Sequence, residues 1–372
     1  MVLTNAEKEN DFMELKDYRP VCAAVLKKTE IEWPAYPVID FHTHMGKMLL
    51  GDDYAEKYDT AEYVRELAEC RVVLAVDMDG YGGEDLRELK RKTAGFENRF
   101  VHFMQLDYSE YDMLQFREDI VRQIRSAHRR GCRGVKMWKD LALYKKDKNG
   151  APMRMDDPRF DAVYDTAAKL GIPVLMHIAD PKAFFAHADE TNERWEELHE
   201  MPEWDFSDRS KYMSFEELLE MQENVIRNHP NTSFVVAHVG SFAENLTWVG
   251  EQLDKYPNMN VDIAARLAEL GRVPYSAKRF FQKYQDRILF GTDSTPLSMG
   301  YHKIYYRFLE TEDEYFHYHL EDELPGQGRW EIYGIGLDRE ILRKVYYKNA
   351  CRILGIDPVR FEEETHETIS ER

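Results

Sequence analysis

Cysteine is scarce in this chain. Four residues in 372, Cys22, Cys70, Cys132 and Cys351, stand far apart and form no C-x-x-C pair. That argues against a disulfide-stapled scaffold and a cysteine-ligated zinc site, and leaves free, mostly buried thiols as the expectation. Long apolar runs are also missing. The longest, such as "VVLAV", are strand-sized and too short to cross a bilayer. The N-terminal stretch "MVLTNAEKENDFMELKDYRP" is acidic and lacks the apolar core of a signal peptide, so a cytoplasmic location is expected. Positive charge is in deficit: 50 Lys and Arg face 69 Asp and Glu, a net charge of −19. Nucleic acid and anionic membranes reward clustered cations, so neither is expected as a partner. A small-molecule substrate is the expected partner, and the charge says nothing specific about it.

What is present is an alternation. Short apolar runs recur at 38–44, 72–79, 100–107, 134–139, 173–179, 233–240, 260–265 and 287–294. Each is four to eight residues long and apolar enough to be buried on both faces. Helix-like stretches separate them. "TAEYVRELAECR" (60–71) is expected to bury a face of Ala61, Val64, Leu67 and Ala68. "DPRFDAVYDTAAKLG" (157–171) opens with Asp157 as a candidate cap and closes on Gly171. Ser214 and Glu217 have capping-box spacing ahead of an apolar-periodic stretch that stops before Pro230. Eight strand–helix alternations call for a parallel sheet covered by helices, and closure into a (β/α)8 TIM barrel leads. A doubly wound open sheet is the alternative, weakened because no GxGxxG or Walker loop follows a strand. The domain reading is an N-terminal extension (1–37), the barrel (38–355) and a charged tail (356–372), frayed or weakly helical. Long loop insertions after strands five (180–213) and eight (295–337) fall on the C-terminal rim, where barrel active sites lie.

Two histidine pairs share one spacing: His42 and His44 in "VIDFHTHMG", and His317 and His319 in "YFHYHLE". Thirteen histidines in 372 residues produce about half such a pair by chance, so spacing alone decides nothing. Context separates them. His42 and His44 lie on one face of a strand, near its C-terminal end. The second pair has no strand beneath it and reads as solvated or packed in a loop. Further ligand-type side chains end other strands: His177 after "PVLM", His238 after "FVVA" and Asp293 after "ILFGT". A barrel brings those ends to one mouth, within reach of a single ion. His102 lies early in its strand and reads as a core histidine. Asp40 lies one layer below His42, where it either orients a ligand imidazole or balances a buried charge.

This set of HxH on strand one, His on strands five and six, and Asp on strand eight resembles the amidohydrolase superfamily. The stretches "FHTHMG", "PVLMH", "VVAHVG" and "ILFGTDS" are similar to its amidohydrolase-related (amidohydrolase 2) branch. That branch includes lactonases, other hydrolases and relatives of aminocarboxymuconate-semialdehyde decarboxylase. The resemblance implies His42, His44, His177 and Asp293 as metal ligands and His238 as a catalytic and substrate-binding histidine. It implies one divalent metal, Zn²⁺ first with Mn²⁺, Fe²⁺ or Co²⁺ also admissible. Two-metal members carry a carboxylated lysine on strand four. Lys136 stands in that strand, with Lys139 close by, and is read here as a substrate or structural cation. A homodimer is expected by analogy with relatives.

Three His and one Asp around Zn²⁺ leave room for water, whose pKa the ion lowers. Asp293 is then the expected proton carrier. Arg266 after the seventh run suits a substrate carboxylate, and Trp138 and Lys136 are further substrate-binding candidates. The aromatic segment 301–308 is a candidate cover. The leading function is a metal-dependent hydrolase of a small carboxylated or sugar-like lactone, ester or amide. The alternative is a metal-dependent decarboxylase on the same scaffold, and a non-catalytic binding barrel comes third.

Overall fold

The computed structural model describes residues 13–14, 18, 20–80, 82–320 and 326–370. Much of the acidic N-terminal stretch and residues 321–325 of the second insertion lie outside the described residues. Eight strands form one sheet: β1 (Val38–Thr43), β2 (Val72–Gly80), β3 (Phe100–Met104), β4 (Gly134–Met137), β5 (Val174–Met176), β6 (Phe234–Val236), β7 (Met259–Asp262) and β8 (Ile288–Leu289). They pair in chain order, each parallel to the next. The ring closes past the end of β8. Phe41 N donates to Phe290 O at 3.0 Å, Asp293 N to His42 O at 2.8 Å and His44 N to Ser294 O at 2.9 Å. All eight expected strands are present and helices cover them, so the fold is the expected TIM barrel. Among the described residues no helix is long and apolar enough to cross a membrane.

The strands are buried on both faces because the barrel interior is filled and the outside is covered. Val38, Ile39 and Phe41 of β1 and Val174, Leu175 and Met176 of β5 are all fully buried. Local signals start and stop the helices. Ser214 and Glu217 form a reciprocal capping box ahead of Phe215–Asn228. Asp157 accepts from Arg159 N and starts a short 3-10 turn that runs into Asp161–Leu170. Gly171 then ends that helix in the left-handed conformation that suits glycine.

Three expectations need correction. Helix Thr60–Glu69 buries Thr60, Tyr63 and Leu67, while Ala61 is exposed. The large Tyr63 ring, stacked on Phe100 at 5.9 Å, outweighs two alanines in choosing the face. Segment 301–308 is no loop: it runs from the end of a 3-10 turn, Met299–Tyr301, into helix His302–Glu310. The first insertion carries its own short helix, Trp195–Glu200. The tail includes helix Pro358–Ser370, in line with its helical reading. The two insertions are tied to the barrel rim and to each other. Arg194 is fully buried against Glu197 and Glu269, Arg329 pairs with Glu196, and Trp330 Nε1 donates to Ala268 O at 3.1 Å. Of the cysteines, Cys70, Cys132 and Cys351 are buried and Cys22 is exposed.

Candidate metal centre

β1 delivers His42 and His44 to the barrel mouth as neighbours, with ring centroids 5.4 Å apart. Each ring is pinned on its outer nitrogen. His42 Nδ1 lies 2.9 Å from Asp262 Oδ2 of β7, and His44 Nδ1 lies 2.9 Å from Asp79 Oδ1 of β2. A carboxylate only accepts, so both rings donate from Nδ1 and turn Nε2 inward. Asp79 also accepts from Gly46 N at 2.8 Å. A Cβ at Gly46 would sit 2.7 Å from Asp79 Cβ, so this close approach needs glycine.

The inward nitrogens meet Asp293. Its Oδ1 is 3.1 Å from His44 Nε2 and 3.5 Å from His42 Nε2. His42, His44 and Asp293 form one of two groups, among the described residues, whose ligating atoms all lie within 4.8 Å. The other, His42 with His238 and Asp262, includes the carboxylate already bonded to His42 Nδ1. Asp293 adopts φ 66°, a left-handed conformation that Asp tolerates better than most residues.

His238 sits on a more strained support. His238, Val239, Gly240 and Ser241 have φ of 58°, 56°, 69° and 68° in succession. Each non-glycine residue there costs about 1–2 kcal/mol, and such strain clusters at functional sites. Asp262 Oδ1 holds the turn by accepting from His238 N at 2.8 Å. His238 Nδ1 lies 2.8 Å from Ala264 O and must donate to it, leaving Nε2 as an acceptor. That Nε2 is 3.3 Å from His177 Nδ1. His177 Nε2 in turn faces Asp180 Oδ1 at 3.3 Å, and Asp180 pairs with Lys139. Two lone pairs therefore face each other between His177 and His238. The neutral rings of His42, His177 and His238 and the Asp293 carboxylate offer electron pairs, and His44 Nε2 offers one once its proton leaves, which are donor types that suit a divalent metal.

Electrostatics agree. Burial opposes the charge on Asp293, but the imidazoles of His42, His44 and His238 outweigh it and hold the carboxyl well below its usual range. Burial also works against protonated His44, yet Asp79 and Asp293 raise it to about 9. Burial drops His177 to about 3 and holds His238 well below its ordinary value, with the charges of His177 and Arg266 adding to the effect. Lys136 of β4, fully enclosed, is lowered by burial to about 8 and places Nζ 3.0 Å from His42 Nε2.

The other expected residues fall in different places. Arg266 is buried rather than on the rim, bonded to Ala265 O at 2.7 Å. Trp138 is half-buried, and neither it nor Lys136 lines the cavity of about 560 Å³ that opens beside Asp293. That cavity is walled by Ala265, Thr292, Tyr301, Tyr305, Tyr318 and His319, among others. His319 therefore reaches the site, whereas His317 is 56% exposed and pairs with Glu331 at 2.9 Å. Asp40 bonds to neither the His42 nor the His44 ring, which Asp262 and Asp79 hold instead: it takes Thr292 and His302 as side-chain partners. His102 is a buried core histidine 2.8 Å from Asp77. Asp79, Asp180 and Asp262 were not foreseen. The available signal was an Asp in a buried, apolar strand or just past its end, where an unpaired carboxylate is too costly to keep.

Residues 39–356 match the sequence profile of the family described as Amidohydrolase. The chain belongs to the amidohydrolase family. Its members are metal-dependent enzymes, and so is this one in class. The fold is shared with 2,6-dihydroxybenzoate decarboxylase from Rhizobium, at 13% identity over 86% of this chain and 99% of that one, TM-score 0.52. A dihydroxybenzoic acid decarboxylase from Polaromonas sp. JS666, with bound manganese and 2-nitroresorcinol, aligns at 14% identity over 86% and 97%, TM-score 0.53. A 4-oxalomesaconate hydratase from Rhodopseudomonas palustris aligns at 13% over 90% and 99%, TM-score 0.50. At these identities the likeness is one of fold, and this amidohydrolase fold serves more than one reaction. No curated protein matches the sequence.

Proposed function

We propose that the protein is a metal-dependent hydrolase of a small carboxylated or sugar-like lactone, ester or amide. The observation that carries the reading is Asp293: an ionised carboxylate, 25% exposed, that touches two imidazoles and also lines the cavity. In this reading His42, His44, His177 and Asp293 hold one divalent cation, Zn²⁺ first, with Mn²⁺, Fe²⁺ and Co²⁺ also suited to imidazole and carboxylate. Such an ion supplies Lewis acidity, which acidifies water and polarises a carbonyl. Asp293 accepts the proton of the attacking water and returns it to the leaving group. His238, kept neutral, lies beside His177 and contacts the substrate oxygen. Lys136 stays a structural cation against His42 Nε2, and Arg266 receives a substrate carboxylate through the donors not used by Ala265.

Decarboxylation is the second reading. Two buried cations, Lys136 and Arg266, flank the imidazoles and suit an anionic substrate that loses CO₂ and gains a proton at carbon. A small-molecule substrate, a homodimer, a cytoplasmic setting and no nucleic-acid or membrane partner belong to the same proposal. The test is turnover of a panel of lactones, esters, amides and aryl carboxylates in ¹⁸O water. Solvent oxygen in the product supports hydrolysis, and CO₂ release without it transfers the assignment to the lyase. Purified protein that retains no metal, with binding unchanged in His177→Ala, removes both.

A further inference from the structure

Asp293 sits in a left-handed turn that its own local sequence does not dictate. Thr292, on one side, donates from N to Asp40 Oδ1 at 3.1 Å and from Oγ1 to Asp40 Oδ2 at 2.5 Å. Ser294, on the other side, donates from N to Thr292 Oγ1 at 3.2 Å. Asp40 also accepts from His42 N at 3.2 Å, so one carboxylate gauges the distance between the His42 strand and the Asp293 turn. Asp40 is in turn held from outside the barrel. His302 Nε2 lies 2.9 Å from Asp40 Oδ2, and both side chains are fully buried.

His302 opens helix His302–Glu310 of the second insertion, and Tyr305 lies on the same face three residues on. The Tyr305 hydroxyl accepts from Ala265 N at 2.9 Å and donates to Thr292 O at 3.4 Å. It thus ties the turn after β7 to the turn carrying Asp293. Phe290, at the end of β8, packs edge-on against Tyr305 with centroids 5.5 Å apart, which fixes the helix against the barrel.

We infer that helix His302–Glu310 is a positioning element for Asp293, with His302 acting through Asp40 and Tyr305 through Thr292 and Ala265. The inference rests on the reading of Asp293 as a metal ligand. An outer partner of this kind sets a ligand's direction, and its loss usually costs about 10–100-fold in metal affinity.

Mn²⁺ titration of the full-length protein, with a competing chelator, tests it. His302→Leu is expected to weaken Mn²⁺ binding by on the order of tenfold. His302→Gln, whose amide can still donate to Asp40, recovers most of that loss. Tyr305→Phe loses several-fold. Tyr346→Phe is the control: it removes a bond to Glu310, at the far end of the same helix, and should lower the melting temperature without moving Mn²⁺ affinity. Unchanged affinity in His302→Leu, or an equal loss in Tyr346→Phe, overturns the inference. If His302→Leu does not fold, Tyr305→Phe decides: undiminished binding overturns the inference. If the wild type binds no metal, the ligand reading fails by itself, and a crystal structure of His302→Leu then answers separately. Asp293 kept at left-handed φ beside His44 overturns the inference, and Asp293 turned away supports it.

Discussion

The two histidine pairs of this chain have identical spacing and opposite surroundings. His42 and His44 are buried, and each is bonded through Nδ1 to a carboxylate from another strand. His317 and His319 lie even closer, with centroids 4.8 Å apart against 5.4 Å. Yet His317 faces solvent and pairs with Glu331 in its own insertion, and His319 Nδ1 faces Leu320 O at 2.9 Å. Proximity of imidazoles therefore does not by itself suit a pair to a metal. The difference lies in outer carboxylates that set the tautomer and in a rigid strand that prevents either ring from turning away.

That contrast breaks first at the rings. His44→Ala should cost more than the roughly hundredfold loss seen for outer partners, with metal content and turnover falling together. His317→Ala should leave both unchanged, and equal losses in metal titration would erase the distinction. The outer carboxylates come next. Asp79→Asn and Asp262→Asn should each lower metal affinity by about 10–100-fold, while Glu331→Gln leaves it alone.

A pH series sharpens the same point. In the metal-free protein His44 is raised from 6.5 to about 9. Metal must displace that proton, so affinity should climb about tenfold per pH unit up to about 9, with proton release measurable by calorimetry. The stability effect has the opposite sign. A raised histidine stabilises the folded state fully below pH 6.5 and loses that contribution as pH rises through about 9. The melting temperature of metal-free protein should fall across that window, and His44→Asn should remove this component of the fall. The smallest effect is expected at His319. It lines the cavity beside Asp293, so His319→Ala should raise KM about three- to tenfold, the worth of one hydrogen bond, with kcat held. A fall in kcat instead would move His319 into the chemistry.

Much of the barrel was legible because its signals are local. Buried strands read as short apolar runs, and the Ser214–Glu217 box and Gly171 mark helix ends by backbone chemistry that neighbouring residues supply. His42, His44, His177, His238 and Asp293 were legible as polar residues at strand ends, which a barrel gathers at one mouth. Their partners were not. Asp79 and Asp262 are acidic residues in mostly apolar strands, and nothing nearby in sequence says which imidazole each will meet. Helix His302–Glu310 was hidden by its aromatic content, which reads equally well as a loop packed on the rim.

By itself the sequence determined the number of strands, their order and which polar side chains stand at their ends, since periodicity and capping act over a few residues. Only the tertiary structure decided which way each ring nitrogen points, that Asp40 answers to His302, and that His319 rather than His317 reaches the cavity. Those choices depend on contacts between residues dozens to hundreds apart in the chain. There a difference of one ångström separates a hydrogen bond from none, and no local pattern encodes such a distance.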